Sequence, residues 1–290
     1  MTAGMSKVLV IGATGRVGRE VVSQLLANGS EVRAFVRPSS DTRRLPPVEL
    51  AVGDLTQPET LDRALDGVDA AFLVWTAPPS AAPRAIEHLR RGVRRLVLLS
   101  SPHQTPHPFF QQPNPMAELH RELERLVAAA GFDLTTLRPG MFASNTVMWW
   151  ADQIRKGDEV RWPYAAAETA PIDEQDIAAV AVRAFDDPRH VGHDYVLTGP
   201  RGITHAAQLA VIGAAIDRRP RYVESSPDEF REQMRGVPNH VVDMLLNAWD
   251  AAAKHPAYVS TVFETITGRP PRSFEEWAHD HAESFQVGSA

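Results

Sequence analysis

The chain has 290 residues, 43% of them hydrophobic, and a formal net charge of −6. That is enough for one large α/β domain, or for a main domain with a smaller cap. The acidic balance, with no basic cluster beyond pairs such as Arg43-Arg44, argues against nucleic acid as a principal partner. The absence of cysteine excludes disulfides, thiol nucleophiles and cysteine-held metals, and no apolar run reaches membrane-spanning length.

The opening, "MTAGMSKVLVIGATG", has no small-residue cleavage site, so the first strand is expected near Lys7 and the protein in the cytoplasm. Lysine occurs only at Lys7, Lys156 and Lys254, against abundant Arg, Ala and Pro, a composition that points to a GC-rich bacterial genome. "KVLVIG" (7–12) reads as a buried strand. Val17, Val21, Val22, Leu25 and Leu26 then recur at helical spacing until "NGS" ends the run. Strands follow at 31–37 and 48–54, then a helix opened by Pro58. Further strands at 69–75 and 94–101 flank a helix over roughly 80–91. This alternation predicts a Rossmann-like, doubly wound parallel sheet.

"SPHQTPHPFFQQPNP" (101–115), rich in Pro and Gln, reads as a loop beside a strand's C-terminal end, where scaffolds often carry function. A helix over 116–130 and a strand, "FDLTTLRPG", come next. Beyond about residue 145 the rhythm loosens. It still predicts a helix over 171–185, a strand over 193–199, a helix over 204–216 capped by Thr204, and mostly helix from 227. The expected organisation is a dinucleotide-binding domain over 1–145 and a smaller, partly helical substrate-binding region over 146–290, some segments of which return to the sheet.

Gly12, Gly15 and Gly18 form G-x-x-G-x-x-G between that first strand and helix. The spacing supplies a tight turn, a close approach of backbone to a pyrophosphate, and a helix packed hard on the sheet. The helix amides then face the phosphates, so the turn as a whole, with Thr14, Arg16 and Val17, is expected to bind a dinucleotide. At the end of the second strand stands Arg37-Pro38-Ser39-Ser40, where an NAD site would carry an acid. Arg37, aided by Ser39, suits a 2′-phosphate, so NADP(H) is the expected cofactor. The alternative is a solvated strand-end arginine.

With "VIGATGRVG", "VGDLTQPETLDRALDGVDAAFLV", "LRPGMFASN", "PIDEQDIAAVAV" and "LTGRPPRSFEEW", the chain resembles the NmrA-like branch of the atypical short-chain dehydrogenases/reductases from about residue 7 to 280. The resemblance implies NAD(P) bound across the sheet's C-terminal edge and a small organic substrate beside it. It places Asp54 and Leu55 by the adenine and Trp75 and Thr76 near the cofactor's middle. It puts Ser100 and Ser101 where the superfamily's serine lies, and Pro139, Gly140, Met141 and Phe142 beside the nicotinamide. Relatives read Tyr-x-x-x-Lys-x-x-x-Glu on the helix before "LRP". Here those positions hold Met116, His120 and Glu124, and none of the four tyrosines has Lys four residues on.

The usual proton relay is therefore missing. Its loss removes roughly 10²–10⁴-fold of general acid catalysis, while hydride transfer depends mainly on orientation. His120 is a candidate proton donor or ribose partner, or a half-buried structural histidine. Phe110, Met116, Asn145 and Trp149 are candidate substrate contacts, Trp149 with core packing as the alternative. No metal site is expected, because His120 with Glu124 gives only two ligands. The reading is an NADPH-dependent ketone or quinone reductase for an aromatic molecule, in secondary metabolism, monomeric or homodimeric. The alternatives are a non-catalytic NADP(H) sensor and, behind it, an epimerase or isomerase.

Overall fold

The computed structural model describes residues 7–286. The reading of the N-terminus as free of a cleavage signal rests partly on residues outside that range. Seven strands form one sheet in the order β3-β2-β1-β4-β5-β6-β9. They are β1 (Lys7–Ile11), β2 (Glu31–Val36), β3 (Glu49–Val52), β4 (Ala70–Val74), β5 (Arg95–Leu99), β6 (Asp133–Pro139) and β9 (Asp194–Leu197), with β7 and β8 elsewhere. Strands β1 to β6 pair in parallel, Ile11 lying opposite Phe35 on one side and Leu73 on the other. Order reverses between β1 and β4, the crevice where open α/β sheets hold ligands. Because β1 is covered on both faces, "VLVI" after Lys7 is apolar throughout instead of alternating.

The chain divides into two units whose segments alternate along the sequence. The first comprises residues up to Ser101, Met116–Pro139 and Glu174–Tyr195. It contains strands β1 to β6 and the first half of β9, with α1 (Arg16–Ala27), α2 (Thr60–Ala64), α3 (Ala82–Gly92), α4 (Pro115–Ala130) and α6 (Glu174–Asp186), α4 beginning one residue before the boundary. Its core joins Leu9, Ile11, Leu73, Leu96, Leu98 and Val127. Helix α1 buries Val17, Val21, Val22 and Leu25 and packs against α6, where Gln24 donates to the Gln175 carbonyl at 2.8 Å.

The second unit takes Pro102–Pro115, Gly140–Asp173 and the chain from Val196. It contains α5 (Asn145–Lys156), β7 (Glu159–Trp162), β8 (Glu168–Thr169), β10 (Ile203–Thr204), α7 (His205–Ala215), β11 (Arg221–Glu224), α8 (Pro227–Gln233), α9 (Asn239–Lys254), α10 (Val262–Thr267) and α11 (Phe274–Asp280). Two small sheets pair β7 with β11 in parallel and β8 with β10 antiparallel. Thr204 caps α7, accepting from the Ala207 amide as expected. Ser226 and Ser273 open α8 and α11 with capping boxes. The core is aromatic: Trp149 stacks on Trp162 at 5.8 Å and meets Trp249 edge-on at 5.4 Å. His205 lies among these rings, fully buried.

Candidate active site

The parallel strands carry most of the predicted cofactor residues to one edge of the sheet. The glycine turn leaves β1, Arg37 and Ser39 follow β2, Asp54 and Leu55 follow β3, and Trp75 and Thr76 follow β4. Gly12 has φ +83°, and a Cβ there would lie 2.8 Å from Val74 Cβ. Gly15 donates its amide to the Gly12 carbonyl at 3.0 Å, closing the turn. A Cβ on Gly18 would lie 2.1 Å from the Gly12 carbonyl oxygen, so α1 approaches as only glycine permits. No side chain caps α1, whose N-cap is Gly15. An open helix N-terminus beneath a glycine turn fits a pyrophosphate. Val17 is buried in the core, so its part in such a cradle is its backbone.

Arg37 is exposed beyond β2, and its amide donates to the Ser40 hydroxyl at 3.2 Å, closing a short turn that also exposes Ser39. Asp54 accepts from both the amide and the hydroxyl of Thr56 at 2.8 Å. Those bonds hold its carboxyl below the ordinary range, with a smaller contribution from Arg37. Leu55 and Trp75 are buried in the first unit's core, whereas Thr76 is exposed. The Trp75 ring is thus a wall of the core, and backbone is what that strand end offers a ligand.

Of the predicted catalytic residues, Ser100 is tied into an ionic network. Ser100 donates its hydroxyl to Glu124 Oε1 at 2.5 Å. Arg138 clasps the same carboxylate with Nε at 3.0 Å and Nη2 at 2.8 Å, and reaches Asp194 at 2.9 Å. This Ser100–Glu124–Arg138 link fastens α4 to β5 and β6. The sequence reading had placed Glu124 on the helix motif but had not seen Arg138, the arginine of "LRP", as its partner. Ser101 and His120 are half-buried. The apolar face of α4 is Ala117, Leu123 and Val127, while Met116 is 50% exposed. Among the described residues no group of three or more His, Cys, Asp or Glu could hold a metal.

Pro139 ends the first unit's middle segment, and Phe142 belongs to the second unit, where it bridges to Ile172. Trp149, expected to meet substrate, is 9% exposed and packed into the Trp162–Trp249 cluster. That expectation is corrected: a ring stacked and edge-bonded on two neighbours is already used by the core. Asn145 begins α5 and donates to Met141 Sδ at 3.2 Å. Phe110 does line a pocket, within the second unit, together with His107, Tyr258, Glu168, Gly140 and Thr198. The Phe110 ring lies 3.5 Å from where a Gly140 Cβ would stand. Tyr258 was missed because nothing local marks it. Its segment is fastened at three points: the Pro256 carbonyl to His107 Nε2 at 3.0 Å, the Ala257 amide to Glu168 at 3.0 Å and the Ser260 amide to Thr198 at 2.9 Å.

A doubly wound sheet with a glycine-rich turn at its switch point defines a dinucleotide-binding protein. A sequence profile described as NAD(P)H-binding matches residues 12–188. The chain is 38% identical over 289 residues to a (4-alkanoyl-5-oxo-2,5-dihydrofuran-3-yl)methyl phosphate reductase of Streptomyces griseus, covering 96% of this chain and 99% of the relative. It is 32% identical, with the same coverage, to an NAD(P)H azoreductase of Xenophilus azovorans. An NADPH-dependent quinone oxidoreductase of Escherichia coli, solved with NADPH, shares the fold with a TM-score of 0.77 at 22% identity, over 94% of this chain and 99% of that one. The chain belongs to the NAD(P)H-binding family of atypical short-chain dehydrogenase/reductase-type oxidoreductases, as its glycine turn and later motifs led one to expect. No helix among the described residues is long and apolar enough to cross a membrane.

Proposed function

We propose that the protein is an NADPH-dependent reductase that adds hydride to a carbonyl, a ketone or quinone, of an aromatic small molecule in a bacterial cytoplasm. The observation that carries this reading is the side-chain-free approach of Gly18 to Gly12 beneath an uncapped helix, with the exposed Arg37 one strand away. NADPH, when bound, supplies the hydride from nicotinamide C4. The chain's own residues do the rest. The turn amides and α1 hold the pyrophosphate, Arg37 and Ser39 hold the 2′-phosphate, and Thr76, Ser101 and Pro139 border the nicotinamide half.

The proton in this proposal comes from His120, from water or from a hydroxyl of the substrate, because Met116 cannot provide it. Glu124 acts at one remove. It fixes the helix that carries His120, and it holds the Ser100 hydroxyl as a donor to itself, which favours Ser101 over Ser100 as a substrate contact. A second reading has its own support: a helix with Met and His in place of Tyr and Lys suits an NADP(H) sensor that regulates a partner.

The test follows NADPH oxidation against aromatic ketones and quinones, with His120→Ala alongside. Turnover lost in the variant at unchanged NADPH affinity makes His120 the donor or its positioner. Turnover kept in the variant leaves the proton to water or substrate. Tight NADPH binding with no turnover on any compound favours the sensor.

A further inference from the structure

Strand β3 is the outermost strand of the large sheet, and among the described residues no strand pairs with its outer edge. Pro46 and Pro47 stand just before it and Gly53 just after it, so the edge is short. Its two faces differ. Ala51 packs against the core of the first unit, beside Phe35 on β2. Leu50 and Val52 point to the other face, where their β2 neighbours Ala34 and Val36 are buried. They themselves are 46% and 61% exposed, although both are apolar.

The backbone shows the same division. The Gly53 amide donates to the Val36 carbonyl at 3.0 Å. Successive residues of a strand turn their backbone groups to opposite edges. Glu49, Ala51 and Gly53 therefore face β2, and Leu50 and Val52 present N–H and C=O outward. An exposed apolar edge is a template for another strand. A second copy of the chain fits this one by symmetry. A two-fold axis at Ala51 sets Leu50 of each chain opposite Val52 of the other in antiparallel pairing, and each such pair exchanges both of its backbone hydrogen bonds. The two exposed apolar side chains then cover each other. Glu49 is the one charged residue of 48–53, and it falls opposite Gly53, so no carboxylate meets another. It is also compensated within its own chain, by Lys7 and, at 2.7 Å, by Arg33. The edge matches itself in hydrogen bonding, apolar surface and charge.

We infer that β3 is a homodimer edge, where two copies join antiparallel through Leu50 and Val52 and the sheet of one continues into the sheet of the other. The contact is isologous, so it closes at two copies and does not grow into a fibre. The strand offers 4 residues a side, far fewer than the roughly 20–30 of a standard interface. The pair is therefore weak and depends on protein concentration. The inference is independent of the reductase reading.

Sedimentation of the full chain from low to high micromolar concentration should show the mass rising from one chain toward two. Val52→Lys, at an exposed position, should keep the melting curve and hold the mass at one chain throughout. The chain has no cysteine, so a single introduced thiol reports the register. Across the axis the two Ala51 Cα atoms stand about 4.5 Å apart, within disulfide reach. The two Leu50 Cα atoms stand about 8 Å apart, beyond it. Under mild oxidation Ala51→Cys should give a covalent dimer that reductant splits, while Leu50→Cys stays a single chain. A mass of one chain at every concentration overturns the inference and leaves the edge to a strand of another protein. A dimer that survives Val52→Lys, or equal cross-linking from the two thiols, overturns it as well. If Ala51→Cys melts early, the mass of Val52→Lys against that of the parent chain decides.

Discussion

Ser100 and Glu124 share a 2.5 Å hydrogen bond across 24 residues of sequence, and Arg138 completes the link with two bonds to the same carboxylate. The Arg138 and Glu124 side chains are only 9% and 12% exposed. Removing one partner of a buried pair costs about 3–5 kcal/mol, and losing Glu124 falls at the low end because Arg138 keeps Asp194 at 2.9 Å. Glu124→Ala should lower the urea unfolding free energy by about 3 kcal/mol. Because α4 also carries His120, turnover should fall further than the loss of folded protein explains.

Gly18→Ala tests the cradle. The added methyl would lie 2.1 Å from a backbone carbonyl, which cannot swing away as a side-chain end would. Turn and helix must separate, and the phosphate-facing amides move with them. NADPH affinity, followed by nicotinamide fluorescence, should drop by tenfold or more. An unchanged affinity would remove the turn from the site.

Arg37→Ala tests the choice of nicotinamide. A charge-assisted bond to a phosphate is worth about 1.5–3 kcal/mol, so NADPH should weaken by about tenfold or more while NADH changes little. Equal losses for both would make Arg37 a structural residue.

His205 makes stability depend on pH. Burial among Trp149, Trp150 and Trp249 pushes its pKa down to about 4 from 6.5, the Pro163 and Tyr164 carbonyls only softening the shift without bonding either ring nitrogen. The unfolded chain therefore takes up the proton first. The contribution is fully present above pH 6.5 and is lost as pH falls toward 4, about 3 kcal/mol in all. Urea unfolding at pH 7 and pH 5 should show the drop, and His205→Leu should flatten it.

What the sequence disclosed was whatever is enforced locally. The glycine turn was legible because a positive φ at Gly12 and the contact of Gly18 with Gly12 are demands on single residues. Strand β1 was legible as an unbroken apolar run, and helix α1 from its period. Strands β7 and β11 went unread, although Val160 and Trp162 point in while Glu159 and Arg161 point out. Four residues rich in Arg and Glu give too short an alternation to stand out. The Phe110–Tyr258 pocket was beyond reach for another reason. It gathers residues 107, 109–110, 140–141, 168–170, 198 and 257–258, and no spacing rule connects them. Trp149 was misread because an aromatic near a cleft and an aromatic in a core look alike until their neighbours are known.

The pairing of α1 with α6 has a consequence for synthesis. Helix α1 is complete at Ala27, but the helix that covers it ends at Asp186. At about 5–20 residues per second, a ribosome needs on the order of ten seconds or more to deliver that cover. Throughout this interval the face of α1 that α6 covers has no partner helix, on a nascent chain whose sheet still lacks its last strand. The emerging polypeptide is a natural client for holding chaperones, and synonymous codon changes that slow translation between 27 and 186 should lower the yield of folded protein more than equal delays placed after 200.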